Sequence, residues 1–215
     1  NIAMSQFGLR EFERFGVKST YIPHGVEANI FKPRDKGKAK EWLEKHSAPF
    51  DLKNQAKIDK DSFVIGINAA NKDPFRKDYG RMFTAFQIFL EQNPDARKDA
   101  RMDVHTWLNF PGGFNLNHLA DKLQIQPYLK HTFTYDMFCG LPPDRMADMY
   151  NAFDVFLNLA RGEGFGIPIL EAESCGVPVI ATDTTSMTEL VKDHGWLVPA
   201  FARDVECPKC KHKFG

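Results

Sequence analysis

Two glutamates, Glu163 and Glu171, stand eight residues apart on either side of a glycine-containing turn. The pattern of residues 158–183 predicts a short strand, a loop that carries Glu163, and a helix that carries Glu171, with Pro168 in its first turn. Glycines let the backbone approach a ligand closely. Free N–H groups at a helix N-terminus attract an anion, and carboxylates accept hydrogen bonds from hydroxyls. The stretch therefore suits a polyol joined to a phosphate.

Two cations, Arg76 and Lys77, form a second candidate group in the loop after a predicted strand at 63–69. Arginine can contact two anionic oxygens at once, whereas lysine acts as a point charge, so the pair suits a diphosphate. An ordinary solvated loop, and an ordinary strand–turn–helix with two solvated glutamates, are the alternatives that these patterns alone leave open.

The elements that must position these residues alternate regularly from residue 63 onward. Further strands are predicted at 102–107, 130–135, 154–159, 177–182 and 195–199, and helices at 79–93, 115–125, 142–153 and 186–192. Alternating strands and helices predict an α/β fold with a doubly wound parallel sheet, whose ligands bind at the carboxyl ends of the strands. Because the loops carrying Arg76, Lys77 and Glu163 all follow strands, we expect them on one edge of the sheet.

The helix predicted at 186–192 begins with the pattern Ser186-Met-Thr-Glu189. This spacing is that of a capping box, in which the first side chain caps the helix and the glutamate reaches back to it. We therefore expect both side chains to bind the N-terminus of their own helix.

Composition excludes several classes of protein. The chain has 215 residues with 28 Lys and Arg against 28 Asp and Glu, and the basic residues are scattered, so we expect no nucleic-acid partner. No apolar run reaches about 18 residues, and no signal-peptide pattern opens the chain, so we expect no transmembrane segment. The four cysteines do not have the spacing of a disulfide framework, so we expect a reducing, cytoplasmic location. Peripheral membrane association stays open.

The tail at 201–215 differs from the rest of the chain. It contains Cys207 and Cys210 in a Cys-x2-Cys pattern, followed by His212. These are candidate zinc ligands that would form half of a zinc ribbon, although a structural zinc normally has four ligands. A second half beyond this sequence and a disordered tail are the alternatives.

The stretches IPHGVEANIFKP at 22–33 and EGFGIPILEAESCGVPVIATD at 163–183, with the Arg-Lys loop between them, resemble family 4 of the retaining nucleotide-sugar glycosyltransferases. The resemblance implies the GT-B fold, in which two Rossmann-like domains face each other. It implies that 1–33 is the tail of the acceptor domain with the interdomain linker. It also implies that 63–200 is the donor-binding domain, preceded by a polar linker with a short helix at 34–62.

The resemblance also implies roles for individual residues. Arg76 and Lys77 would hold the donor diphosphate, Glu163 would face the donor sugar, and Glu171 would accept from the ribose hydroxyls. Backbone N–H groups for the sugar and the phosphate would come from Gly164, Phe165, Gly166 and Ile167. The base would lie near the loop after the strand at 130–135. No cofactor would be needed for transfer, since Arg76 and Lys77 supply positive charge.

We expect a hexosyltransferase that transfers sugar from a nucleotide-diphosphate sugar, with retention, to a glycan, lipid or small molecule. Because the chain begins with Asn1 in a helix-like pattern, we expect it to be a fragment without its acceptor domain, inactive alone. The alternative is a non-catalytic interaction module with a zinc-binding tail. A nicotinamide dehydrogenase would need G-x-G-x-x-G after the strand at 63–69, and that motif is absent.

Overall fold

The structure is a computed structural model that describes residues 1–53, 57–72, 75–200, 205–206 and 213–214. Its helices are α1 (Gln6–Arg14), α2 (Lys36–His46), α3 (Tyr79–Gln92), α4 (Leu116–Lys122), α5 (Thr134–Cys139), α6 (Pro143–Ala152), α7 (Ile167–Ser174) and α8 (Met187–Val191). Its strands are β1 (Ile2–Ala3), β2 (Thr20–Tyr21), β3 (Ser47–Pro49), β4 (Phe63–Asn68), β5 (Ala100–His105), β6 (Leu129–Thr132), β7 (Val155–Asn158), β8 (Val179–Asp183), β9 (Trp196–Pro199), β10 (Val205–Glu206) and β11 (Lys213–Phe214).

One seven-stranded sheet organises the fold, in the order β3-β6-β5-β4-β7-β8-β9. All neighbouring strands are parallel except β3, which is antiparallel to β6. From β4 the chain first builds outward through β5 and β6, then returns to β7 on the other side of β4. The predicted doubly wound sheet is confirmed, and its switch point lies between β4 and β7.

Helices cover both faces of this sheet. One apolar cluster joins α2, α6, α7 and α8 to one face, with Tyr150, Phe153 and Phe156 fully buried in it. The other joins α3 and α4 to the opposite face, around Phe83. Gly66 in β4 is required by this packing, since a Cβ there would lie 2.1 Å from a ring carbon of Phe153. These tightly packed layers are rigid supports for the loops at the sheet edge.

The segment at 34–62 was predicted as a polar linker with a short helix. The short helix is present as α2, and the segment also contains the strand β3, which was not predicted. The buried side chain of Leu43 in α2 belongs to the same apolar cluster as α6, and β3 extends the sheet. Lys40 is 4% exposed, and its ammonium contacts the Asp154 carboxylate at 2.9 Å. The segment has a polar composition although it packs on the domain, because a charged residue such as Lys40 is buried against an acidic side chain from outside the segment.

The strand predicted at 130–135 is wrong at its end. Strand β6 ends at Thr132, and helix α5 begins at Thr134. The sequence HTFT alternates β-branched and aromatic residues, which favours a strand locally, so only the tertiary structure shows the early turn. Cys207, Cys210 and His212 lie outside the described residues.

Candidate functional site

The loops that follow β4 and β7 meet at the switch point. The Arg161 N–H donates to the Arg76 carbonyl at 2.8 Å, and the Arg161 Nε donates to the Asp78 carboxylate at 3.0 Å. Asp78 is the residue before α3, it is 5% exposed, and its φ of 48° lies in the left-handed region. One arginine therefore ties the two loops together through a backbone contact and an ion pair.

Three predicted site residues are in direct contact at this junction. The Glu163 carboxylate accepts from the Lys77 ammonium through Oε1 and from the Arg76 guanidinium through Oε2, the latter at 3.2 Å. The side chains of Lys77 and Glu163 are 9% and 10% exposed, whereas that of Arg76 is 49% exposed. Glu163 supplies the anion that both cations contact. The arrangement is a partly buried electrostatic cluster that opens through Arg76 to the solvent.

The backbone after Glu163 forms a tight turn into α7. Gly166 precedes the helix with a φ of 103°, a conformation that side-chain-bearing residues rarely adopt. Helix α7 begins at Ile167, whose N–H has no acceptor within the helix. The next residue, Pro168, has no N–H, and the Ile169 N–H donates to the Gly166 carbonyl at 2.9 Å. Phe165 is 5% exposed and packs edge-on against the His24 ring, with 5.1 Å between the ring centroids. The turn thus offers backbone donors next to the Lys77–Glu163 pair.

Glu171 has a different environment on α7. Its Oε2 accepts from the Tyr150 hydroxyl at 2.7 Å, and that hydroxyl accepts from the Asn68 side-chain amide at 2.7 Å. Burial raises the pKa of Glu171, and the Tyr150 hydrogen bond opposes that shift. Burial, followed by the neighbouring Glu171, raises the pKa of Tyr150, so the phenol remains a donor. Asn68 ends β4, so this network reaches the same sheet edge.

Four residues of the site were not predicted: Asp78, Arg161, Tyr150 and Asn68. A buried tyrosine needs a hydrogen-bond partner, which was the one signal available for Tyr150 in a helix with an apolar face. The others are polar residues next to strand or helix ends, where the sequence does not show which loops come together.

The predicted capping box is wrong. The Ser186 hydroxyl makes no hydrogen bond to the N-terminus of α8; it donates to the Glu163 carbonyl at 2.9 Å. The Glu189 carboxylate accepts from the Gln6 N–H at 3.0 and 2.9 Å, and so caps α1 instead. Both side chains bind partners far away in sequence, which local spacing cannot reveal.

A cavity of about 460 Å³ lies at the carboxyl ends of β5 and β6. Its lining includes apolar Trp107 and Met137 with the hydroxyls of Thr132 and Thr134. Beneath it, His105 Nδ1 lies 2.6 Å from the Thr132 hydroxyl oxygen, and burial lowers the pKa of His105 to about 4. The recess is large enough for a small ring system and is uncharged at neutral pH.

Within the described part of the chain, no group of three or more His, Cys, Asp or Glu side chains has the arrangement of a metal site. The proposed tail ligands are outside that part. No helix among the described residues is long and apolar enough to span a bilayer.

The fold and site define a class: a doubly wound α/β domain with cations, a carboxylate and a helix N-terminus at its switch point. The model of the family "Glycosyl transferases group 1" matches residues 79–206, and the chain belongs to this family, which has the GT-B fold and resembles glycosyltransferase family 4.

Named relatives agree with this assignment. The chain is 52% identical over 180 residues to the lipopolysaccharide core biosynthesis mannosyltransferase LpsB of Rhizobium meliloti (strain 1021), covering 81% of this chain and 43% of LpsB. The glycosyltransferase WaaG superposes with a TM-score of 0.67 at 15% identity, over 92% of this chain and 48% of WaaG. Anabaena Alr3699/HepE, solved with UDP and glucose, gives 0.65 at 20% identity, over 92% and 48%. The chain spans less than half the length of these proteins.

Proposed function

We propose that this chain is the donor-binding half of a retaining glycosyltransferase that takes a hexose from a nucleotide-diphosphate sugar. The observation that carries the proposal is the contact of Lys77 and Arg76 with Glu163 beside the N-terminus of α7. The membership of the glycosyl transferases group 1 family and the relative named as a mannosyltransferase support it. The HepE structures, solved with UDP and sugar ligands, support a nucleotide-sugar donor.

The site would promote transfer by stabilising the leaving group. Breaking the bond between the sugar and the phosphate builds negative charge on the diphosphate. Lys77, Arg76 and the backbone N–H groups of the turn into α7 would lie where that charge develops, so they would stabilise the transition state more than the ground state. Glu163, next to both cations, would face the sugar and contact its hydroxyls.

The rest of the donor would extend along the sheet edge. Glu171, oriented by Tyr150, would accept from the ribose hydroxyls. The base would lie toward the cavity at the ends of β5 and β6, near the loop after β6. Transfer would need no metal ion because the two cations supply the positive charge. The acceptor, a glycan, lipid or small molecule, would be bound by a domain to which residues 1–33 connect.

Calorimetry with UDP, GDP and ADP tests the donor site in the chain itself. We expect one of them to bind with a dissociation constant on the order of micromolar, and the exposed Lys72→Ala variant in the same loop to bind equally well. A chain that binds none of the three would contradict the proposal. A transfer assay is expected to show no sugar transfer by this chain alone. Turnover matching that of a protein with both domains would show that no further domain is needed.

A further inference from the structure

We infer that Thr185 and Ser186 are positioning residues that hold the backbone of Glu163 and thereby set the preference for a sugar nucleotide over the bare nucleoside diphosphate. This inference rests on the proposed function, because it assigns a role at the same donor site. We call this pair the Thr185–Ser186 clamp. It lies between β8 and α8, outside the stretch from Glu163 to Glu171.

The clamp binds both backbone polar groups of one loop residue. The Glu163 N–H donates to the Thr185 hydroxyl oxygen at 3.0 Å, and the Ser186 hydroxyl donates to the Glu163 carbonyl at 2.9 Å. Buried backbone groups need partners, and in a loop neither a helix nor a sheet supplies them. Two adjacent hydroxyls therefore define the position and the orientation of the Glu163 peptide groups.

The conformation of Thr185 is unusual for its residue type. Its φ is 54°, in the left-handed region, and a β-branched residue is a genuine outlier there. Its methyl group packs closely on Gly162, where a Cβ would lie 3.3 Å from it. Unfavourable backbone conformations persist where the surrounding structure requires them, and they cluster at functional sites. Here the conformation brings the Thr185 hydroxyl to the Glu163 N–H.

The clamp is anchored in the core of the domain. Ser186 is 0% exposed, and Met187 and Val191 of the following helix α8 belong to an apolar cluster. A second contact holds α8 in place, since the Glu189 carboxylate accepts from the N–H of Gln6 at the start of α1. The clamp therefore cannot shift without disturbing α8, so it fixes the position of the Glu163 backbone.

The cations alone cannot do this when donor is bound. Lys77 and Arg76 orient the Glu163 carboxylate, yet they are also the proposed ligands of the diphosphate. Once they contact the diphosphate, their hold on Glu163 weakens, and the backbone hydrogen bonds from the clamp remain. The clamp should thus matter most for the ligand that carries a sugar. It should matter little for the nucleoside diphosphate, because its hydroxyls bond the Glu163 backbone and not the proposed diphosphate partners Lys77, Arg76 and the Ile167 N–H.

The test is calorimetry of this chain with UDP against UDP-glucose and GDP against GDP-mannose, using the pair that the unmodified chain binds. Thr185→Val keeps the shape and removes the acceptor hydroxyl, and Ser186→Ala removes the donor. We expect each variant to lose about tenfold affinity for the sugar nucleotide, with affinity for the nucleoside diphosphate unchanged. Thr185→Ser, which keeps the hydroxyl, should restore the selectivity.

Thr188→Ala is the matched control, because the Thr188 hydroxyl donates to Asp183 at 2.7 Å. We expect it to leave both affinities unchanged. A Thr185→Val chain that keeps the selectivity, or that loses affinity equally for both ligands, would overturn the clamp while leaving the proposed function in place. An unmodified chain that binds neither pair would instead overturn the proposed function, and the clamp with it. Melting temperatures identify any unfolded variant, and if Thr185→Val does not fold, Ser186→Ala decides by the same comparison of the two ligands.

Discussion

The two glutamates of the site occupy opposite kinds of environment. Glu163 lies in a loop, contacts two cations through its side chain, and is held by hydroxyls through its backbone. Glu171 lies on a helix, contacts a neutral phenol, and has a pKa raised by burial. The same residue type, eight positions apart, is thus held electrostatically in one case and by neutral hydrogen bonds in the other. Under the proposed function, Glu163 would contact the donor sugar beside the diphosphate, and Glu171 would accept from the ribose hydroxyls.

The largest expected effect comes from removing the cation beside Glu163. Lys77→Ala should weaken binding of the nucleoside diphosphate about 100-fold, since a charge-assisted contact contributes about 3 kcal/mol. The variant also removes the ion pair between Lys77 and Glu163, whose side chain is only 10% exposed, so the melting temperature should fall. Calorimetry and thermal unfolding measure both effects. Lys72→Ala is the control, and equal binding by the two variants would show that Lys77 does not contact the diphosphate.

Neutralising each glutamate should separate their roles. Glu171→Gln should weaken the nucleoside diphosphate about tenfold, because the carboxylate is the stronger acceptor for ribose hydroxyls. Glu163→Gln should strengthen binding of the nucleoside diphosphate about threefold, because the variant lacks the anion that competes for Lys77 and Arg76. The affinity for the sugar nucleotide should fall relative to the affinity for the nucleoside diphosphate. Titrations of both variants with both ligands measure the contrast. The same direction of change for the nucleoside diphosphate in both variants would contradict the distinction.

The smallest effect concerns the phenol on Glu171. The Tyr150 hydrogen bond stabilises the ionised form of Glu171, so Tyr150→Phe should raise the pKa of that carboxyl further. Affinity for the nucleoside diphosphate needs the carboxylate, and it is lost as pH falls through the Glu171 pKa. The loss should therefore begin at a higher pH in Tyr150→Phe, with affinity at neutral pH about threefold lower. Dissociation constants measured across the acidic range test this, and a profile identical to that of the unmodified chain would refute it.

Sequence reasoning predicted the sheet, the common edge of the two loops, and the residues Arg76, Lys77, Glu163 and Glu171, of which the structure brings the first three into direct contact. Their roles toward a donor remain predictions. Strand β3 was missed because it has only three residues and ends in a proline, Pro49, which sequence patterns rarely assign to a strand. Sequence reasoning also missed the Arg161–Asp78 and Tyr150–Glu171 contacts because each joins residues that are distant in the chain.

The sequence by itself determined the alternation of strands and helices from β4 to β9, apart from α5, and the position of the glycine turn. Apolar periodicity selects the strands and helices, and the φ of 103° before α7 requires a glycine, which is Gly166. Only the tertiary structure decided which partner each polar side chain takes. Ser186 and Glu189 have the spacing to cap their own helix, yet they bind Glu163 and Gln6. A local hydrogen bond and a distant one are close in free energy, so packing of the layers decides between them.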